Sequence, residues 1–534
     1  MIKILQFIFS IAVMITAGVF AQAPVLGATS DFALFSSNGA VSNTGLSQLT
    51  GNVGTNNGSS TNFGNVDGVM HDADGATATA AAALTIAYNQ LNSAIPNFFP
   101  APLLGNGQTL TAGTYSIGQS ATLNNTLTLD GGGSGNSVFI FKIQGAFSSA
   151  AGAQVLLTNG ALACNVFWKV EGLVDLASNT SMKGTIIANN AAIILNTGTS
   201  LEGRALSTTG AVTVSGVTVR KPIGCGSLIL TGPAQPVLNS VACYTIFTGN
   251  GTVTNTGVSL VTGDIGSNLG LTTGFSAINV TGTIHANPDT STAICALDLA
   301  NVYAFLNTLP TDIELLYPAA FGQNLVLTPH TYQLNAATVL NGTVFLNAQN
   351  NPNAVFVIKI NGALSTSTYA SVVLQNGAQA KNVFWKIDGA VSLNDYASFK
   401  GTVIGNNGAI NMNIGSTIEG RVLSTSGAIN TVGINAQMTA GCNPGSLAVS
   451  SAVKNKETAS VYPNPFSSVL NVKLDNENKE SNLTIYNAAG TRVLGKVLNE
   501  TLSSIQLNLP AGIYFYQIQS KDGKVQTGKI ISKP

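Results

Sequence analysis

The chain has 534 residues, of which 22 are basic and 22 acidic, so the formal net charge is zero. Charged residues make up only 8% and glycine is abundant at 57, whereas soluble proteins carry about 25% charged residues. A surface so poor in charge has no basic stripe for a nucleic acid, and a hydrophobic content of 45% excludes disorder.

From the N-terminus, Lys3 precedes an apolar run, Ile4 to Val19, and Val19-Phe20-Ala21 offers small residues for cleavage. This predicts a signal peptide over 1–21 and a mature chain starting at Gln22. The run is short for a membrane anchor, and the product is expected outside the cell.

Internal repetition organises the mature chain as far as Cys442. Ser42 to Asn56 returns as Thr254 to Asn268, displaced by 212 residues, and Asn165-Val-Phe-Trp-Lys169 returns as Asn382-Val-Phe-Trp-Lys386, displaced by 217. Two homologous domains are therefore expected over 24–226 and 227–443. Inside each copy a shorter period appears: Thr180-Ser-Met-Lys-Gly184 and Thr199-Ser-Leu-Glu-Gly203 lie 19 residues apart. Short β-type runs separated by Gly or Asn corners at that spacing predict the coils of a β-solenoid. Ile187 over Leu206 and Ile193 over Val212 are its expected core columns. A sandwich is the other fold considered, but it does not account for the 19-residue register. An Ala- and Leu-rich stretch predicts a helix over 77–92, stopped by Pro96, with a counterpart over 292–309 ended by Pro310. A helix lying along one solenoid face would close that face to partners.

Composition shifts after Cys442, and ten of the 22 basic residues fall after residue 451. Residues 444–457 read as a linker. Alternating runs near Leu470, Leu483 and Ile513 predict a small β-sandwich-like domain over 458–534. The fold class expected is thus mostly β: two tandem solenoids, each with one long helix alongside, and a small C-terminal β domain.

Asn43-Thr-Gly, Thr50-Gly-Asn-Val-Gly, Leu110-Thr-Ala-Gly-Thr-Tyr, Ser137-Val-Phe-Ile-Phe-Lys-Ile, Cys164-Asn-Val-Phe-Trp-Lys-Val and Gly203-Arg-Ala-Leu-Ser occur in that order. The set resembles the microbial ice-binding protein family, and both copies match over most of 26–443. The resemblance implies a right-handed β-solenoid beside one helix, with one flat face adsorbing to ice and inhibiting its growth or recrystallisation. The tail carries Tyr462-Pro-Asn-Pro-Phe466, Leu509-Pro-Ala-Gly-Ile-Tyr514 and Gly528-Lys-Ile-Ile-Ser-Lys533. It is similar to the C-terminal sorting domain of type IX secretion. That implies passage by the secretion machinery across the outer membrane, then release or retention on the cell surface.

Stacked coils repeat every ~4.7–4.9 Å, close to a repeat in the ice lattice, and a Thr or Ser column presents hydroxyls at that spacing. Family members carry Thr-Ala/Gly-x-Thr/Asn segments on the binding face. The matching candidates are Thr44 and Ser47, Thr111 and Thr114, and Thr197, Thr199 and Ser200 in copy 1, then Thr256 and Ser259 in copy 2. Ser416 and Thr417 come after Ile414, which has lost the first Thr of its segment. Thr208, Thr213 and Thr425 are further outward candidates. Copy 1 keeps more of the pattern and is expected to be the better binder. Lys183 and Glu202 share an outward column, which marks their face as unsuited to ice.

No catalytic, cofactor or metal site is expected. The three histidines, His71, His285 and His330, lack metal-ligand spacing. Asp72 and Asp74 suit a helix N-terminus, and Asp130 before Gly131 suits a turn. Polysaccharide-cleaving solenoids need clustered carboxylates, whereas Arg204 and Arg421 look isolated at coil corners. The functional alternative is a cell-surface adhesin or glycan-binding module, and a monomer is expected in either case. Five cysteines in an exported chain leave one unpaired. Cys164–Cys225 is the expected bridge and Cys243–Cys295 the second, leaving Cys442 free.

Overall fold

The structure, a computed structural model, describes residues 21–225, 229–285, 287, 289–439, 442, 459–474, 480–521 and 525–533. The expected linker lies outside the described residues, as does the expected signal peptide apart from Ala21. The chain divides into two units, Met1–Cys442 and Asn443–Pro534, each described by itself.

In copy 1 the coils have three faces of parallel strands. The first face stacks Gly113–Ile117, Phe139–Ile143, Val166–Val170, the second halves of Ser181–Ala188 and Ser200–Ser207, then Phe32–Ser36, Asn52–Thr55 and Met70–Asp72. The second face is a separate eight-stranded sheet: Leu103–Gly105, Ala121–Asn124, Phe147–Ser149, Val174–Leu176, Ile193–Leu195, Val212–Ser215, Val41–Thr44 and Ser60–Thr61. The third face stacks Gln108–Thr111, Thr126–Asp130, Gln154–Thr158, the first halves of the two long strands, Thr218–Arg220 and Gln48–Thr50. Copy 2 repeats the plan, with its own eight-stranded second face running from Phe321–Gly322 to Thr272–Thr273. The 19-residue register holds where Met182 faces Leu201. Phe141, however, faces Trp168, a step of 27, because that coil carries a longer connection between its third and first faces.

The N-terminal strands stack below the last coil, Leu34 beside Ala205. The chain must then climb back to start the top coil, and α1 (Gly75–Ser93) makes this return. Its 19 residues span roughly 28 Å, the height of about six rung spacings at ~4.8 Å, and the segments on either side complete the climb. Thr77, Ala80, Leu84, Ala87 and Leu91 form the buried stripe, packed on Phe35, Ile140, Phe167, Ile187 and Leu206 of the first face. Leu84 and Leu91, both fully buried, each contribute about 1.5–3 kcal/mol by the usual area bookkeeping. Asp74 caps the N-terminus by accepting from the Thr77 amide at 2.9 Å. At the other end Lys142 donates to the Asn92 and Ala94 carbonyls, both at 2.7 Å, a cation where the helix dipole favours one. In copy 2, α2 (Thr290–Thr308) has the same plan, with Lys359 donating to the Leu309 carbonyl at 2.7 Å.

The Val-Phe-Trp-Lys motif ties the solenoid core to the helix. Val166 and Trp168 point into the core, where Trp168 stacks on Phe141 with ring centroids 4.0 Å apart. Phe167 and Lys169 alternate outward beneath α1. Lys169 is 1% exposed and pairs with Glu171. Tyr88 of α1 and Asn189 each donate to the same carboxylate at 2.7 Å. Lys386, Asp388, Tyr303 and Asn406 repeat this network in copy 2.

Three expectations are corrected. Ile193 and Val212 do line the solenoid core, but Ile187 and Leu206, although in register, face outward under α1. Gly184, at φ +102°, turns a corner inside the long strand, where a Cβ would press on the Val166 carbonyl; Met182, Ile186 and Ala188 face the core on either side of it, which leaves Ile187 outward. Arg204 and Arg421 are not isolated: both are buried and donate to the carbonyls of Ser30 and Ala242. The third correction concerns the cysteines. Cys164–Cys225 forms, but Cys243 pairs with Cys442 and the free thiol is Cys295. Cys295 sits in the buried stripe of α2 with Thr292, Leu299 and Val302, the place Ala80 holds in α1, so it serves as a core side chain. Non-reducing peptide mapping should recover Cys243 joined to Cys442.

In the C-terminal unit, a three-stranded and a four-stranded antiparallel sheet enclose Phe466, Leu470, Leu483, Ile485, Tyr514 and Ile530. The three tail motifs meet there. Asn464 donates to the Lys529 carbonyl and accepts from the Ile531 amide, and Ser532 donates to the Leu509 carbonyl at 3.0 Å.

Candidate binding face

Of the three solenoid faces, the helices cover the first. The third carries ion pairs: Lys183–Glu202 at 2.8 Å in copy 1 and Lys400–Glu419 at 2.9 Å in copy 2. Arg220 continues the copy 1 column. Charges of this kind hold their own hydration and leave the second face as the open neutral surface.

Second-face strands obey a simple rule: an apolar residue points in, the next points out, and the third points in. In copy 1 the outward column reads Leu103, Thr122, Ser148, Asp175, Ile194, Thr213, Ser42 and Thr61. A carboxylate and an isoleucine thus interrupt its middle. In copy 2 it reads Val339, Ser365, Ser392, Asn411, Asn430, Thr254 and Thr273. Every position after Val339 is an uncharged hydroxyl or amide. Thr254 donates to Asn430 Oδ1 at 2.7 Å, and Asn430 donates to Asn411 Oδ1 at 2.9 Å. That ladder fixes three side chains before anything binds. Rungs lie ~4.8 Å apart, so the column presents its polar groups at a regular spacing.

The fourteen candidates from the sequence divide among these surfaces. Thr44, Thr213 and Thr256 lie on second-face strands. Thr111, Ser200 and Thr417 lie on third-face strands, and Thr197 is exposed at the corner between the two faces. Ser47, Thr114, Thr199, Ser259 and Ser416 are buried. In the Thr-Gly-x-Ser corners the last hydroxyl folds inward: Ser47 donates to Asn43 Oδ1 and Ser259 to Asn255 Oδ1, both at 2.6 Å. Thr208 and Thr425 sit after first-face strands and donate to Asn189 and Asn406 of the networks beneath the helices. The sequence reading therefore missed most of the second-face columns. The signal was present in triplets such as Leu364-Ser-Thr366, Val391-Ser-Leu393 and Ile410-Asn-Met412. Their middle residue must face out when both neighbours face the core.

Tandem parallel solenoids, each with one helix-covered face and one open face nearly free of charge, define a surface-recognition protein. Comparison with known proteins gives the family. The model described as ice-binding-like matches residues 35–220 and 247–437, and the chain belongs to that family, in two copies. A second model, a secretion system C-terminal sorting domain, matches 460–533. The chain is 38% identical over 198 residues to an ice-binding protein of Nostoc sp. (strain HG1), covering 36% of this chain and 72% of that protein. It is 28% identical over 219 residues to ice-binding protein 1 of Shewanella frigidimarina, covering 36% of this chain but only 25% of the relative. Among solved structures, an ice binding protein from an Antarctic bacterium Flavobacteriaceae is 75% identical, with a TM-score of 0.78, covering 79% of this chain and all of the other. The sorting tail directs the chain to the extracellular or cell-surface space, and among the described residues no helix is long and apolar enough to cross a membrane.

Proposed function

We propose that the chain adsorbs to ice through its second faces and inhibits crystal growth, with copy 2 the stronger binder. The observation that carries this is the uncharged, hydrogen-bonded column of copy 2 on the face the helix leaves open. Hydroxyls and amides held at lattice-like spacing order the adjacent water without first breaking a tight hydration shell. Immobilising a free side chain on binding costs about 0.5–1.5 kcal/mol; the Thr254–Asn430–Asn411 ladder has already met much of that cost on folding. The reading is of a non-catalytic binder acting as a single chain.

The mature protein, mixed with slowly growing ice, should partition into the solid and facet single crystals. Exclusion from the ice with unaltered discs would overturn the reading and favour an adhesin. The interruption in copy 1 gives a second expectation. Ile194→Thr restores a hydroxyl between Asp175 and Thr213 and should raise the ice affinity of copy 1, measured in a protein whose copy 2 face is blocked by Ser392→Tyr. Unchanged affinity would show that copy 1 binds through another surface.

A further inference from the structure

The two copies meet through a buried polar junction that neither helix nor binding face explains. Asp67, at the lower end of copy 1, is 3% exposed. Tyr332 of copy 2 donates to its Oδ1 at 2.6 Å and Thr328 to its Oδ2 at 2.8 Å. Thr328 also contacts His330 Nδ1 at 3.1 Å. Two further contacts flank this centre. Gln48 donates to the Gln323 carbonyl at 2.9 Å. Asn65 donates to the Tyr317 carbonyl and accepts from the Tyr317 amide, both at 2.9 Å.

The positions of these contacts set the alignment. Gln48 opens the last full third-face strand of copy 1, and Gln323 lies just before the first third-face strand of copy 2, Leu325–Leu327. At the other end of these strands, Asp67, paired with Thr50, meets Thr328. Start therefore meets start and end meets end, so Gln48–Thr50 lies parallel and adjacent to Leu325–Leu327. Both copies wind from first face to second to third. If their third faces adjoin in parallel, their second faces must lie on one side as well.

We infer that Asp67, held by Thr328 and Tyr332, clamps the solenoids end to end so that their two second faces form one continuous adsorption surface. This rests on the ice-binding reading for its functional consequence, but not for its geometry. The clamp belongs to this junction alone. At the free end of copy 2, Thr281 pairs with Thr262 as Asp67 does with Thr50, and Leu260 replaces Gln48. The free end of copy 2 therefore lacks the carboxylate that the clamp needs. At the free end of copy 1, Thr111 and Tyr115 hold the places of Thr328 and Tyr332, and there Tyr115 donates to the Thr111 carbonyl, while Gly113 stands where copy 2 has His330.

The rigid alignment has a measurable consequence, because linked sites that engage together gain about 10²–10⁴ in affinity over one site. Spin labels at Thr109→Cys and Asn435→Cys, both exposed on the third face, report the distance between copies in the full mature chain. The parent should give one narrow distance and enter ice. Asp67→Ala, and independently Thr328→Val from the other side, should broaden the distance and lower ice affinity about tenfold or more, whereas the near-isosteric Asp67→Asn should retain both. A narrow distance in Asp67→Ala and Thr328→Val, or a broad one in the parent, would overturn the clamp. Broadening without loss of ice affinity would overturn the continuous surface. A parent with a narrow distance that is excluded from ice would uphold the clamp and remove the ice-binding reading, so the two failures are distinguishable.

Discussion

Replacing Glu171 by Ala should destabilise the protein by about 3–5 kcal/mol, the usual cost of removing one partner from a buried ion pair. Lys169 is only 1% exposed and would keep its charge beneath α1 with its carboxylate gone. Burial pushes the Glu171 carboxyl up, but hydrogen bonds from Lys169, Asn189 and Tyr88 outweigh it and hold the group below its ordinary range. The pair's contribution is therefore complete above the unfolded carboxylate range and is lost as pH falls through the depressed value. Calorimetric or denaturant unfolding of Glu171→Ala, compared with the parent at neutral pH, gives the difference. The double variant Lys169→Met with Glu171→Leu should recover much of the loss, since a well-packed apolar pair often equals a buried ion pair. If Glu171→Ala unfolds like the parent, the network is not what holds α1 on the first face.

The second large effect is on binding. Ser392→Tyr should reduce ice affinity at least tenfold, about 1.4 kcal/mol or more, with little change in stability. Ser392 is the middle residue of Val391–Leu393 and only half-buried, with Ser365 and Asn411 on the adjoining rungs. A tyrosine ring there stands above its neighbours and lifts several rungs away from a flat crystal. The fold tolerates it because the side chain points outward between two inward apolar residues. Thermal hysteresis and ice partitioning measure the loss, and the melting temperature separates it from unfolding.

Much of the architecture was legible in the sequence because repetition is a property of the chain itself. The displaced copies and the 19-residue register directly express stacking of one coil on the next, and the two helices announced themselves as Gly- and Pro-free stretches ended by Pro96 and Pro310. What could not be read was which way a side chain faces after a corner. Ile187 and Leu206 are in the expected register, but the alternation that puts Met182, Ile186, Leu201 and Ala205 into the core leaves them outward under α1. The same difficulty limited the site reading. Thr-Gly-x-Ser corners look like exposed hydroxyls, yet Ser47 and Ser259 turn in to satisfy Asn43 and Asn255. The exposed columns of copy 2 use Ser and Asn at the centre of short apolar triplets, a pattern with little Thr to attract notice. Cys295 misled for a related reason: it stood as the expected partner of Cys243, whereas its place on the helix made it core. Asp67 gave no signal at all, because its partners lie more than 250 residues away.

The central claim is that the uncharged second face of copy 2, and not its charged third face, meets ice. Single tyrosines placed across both faces test it in one assay. Ser365→Tyr and Thr254→Tyr stand on the second face, and Thr343→Tyr and Thr262→Tyr on the third. In ice-affinity partitioning, the two second-face variants should remain largely in the liquid while the two third-face variants enter the ice like the parent. Third-face variants left in the liquid, with second-face variants in the ice, would contradict the claim.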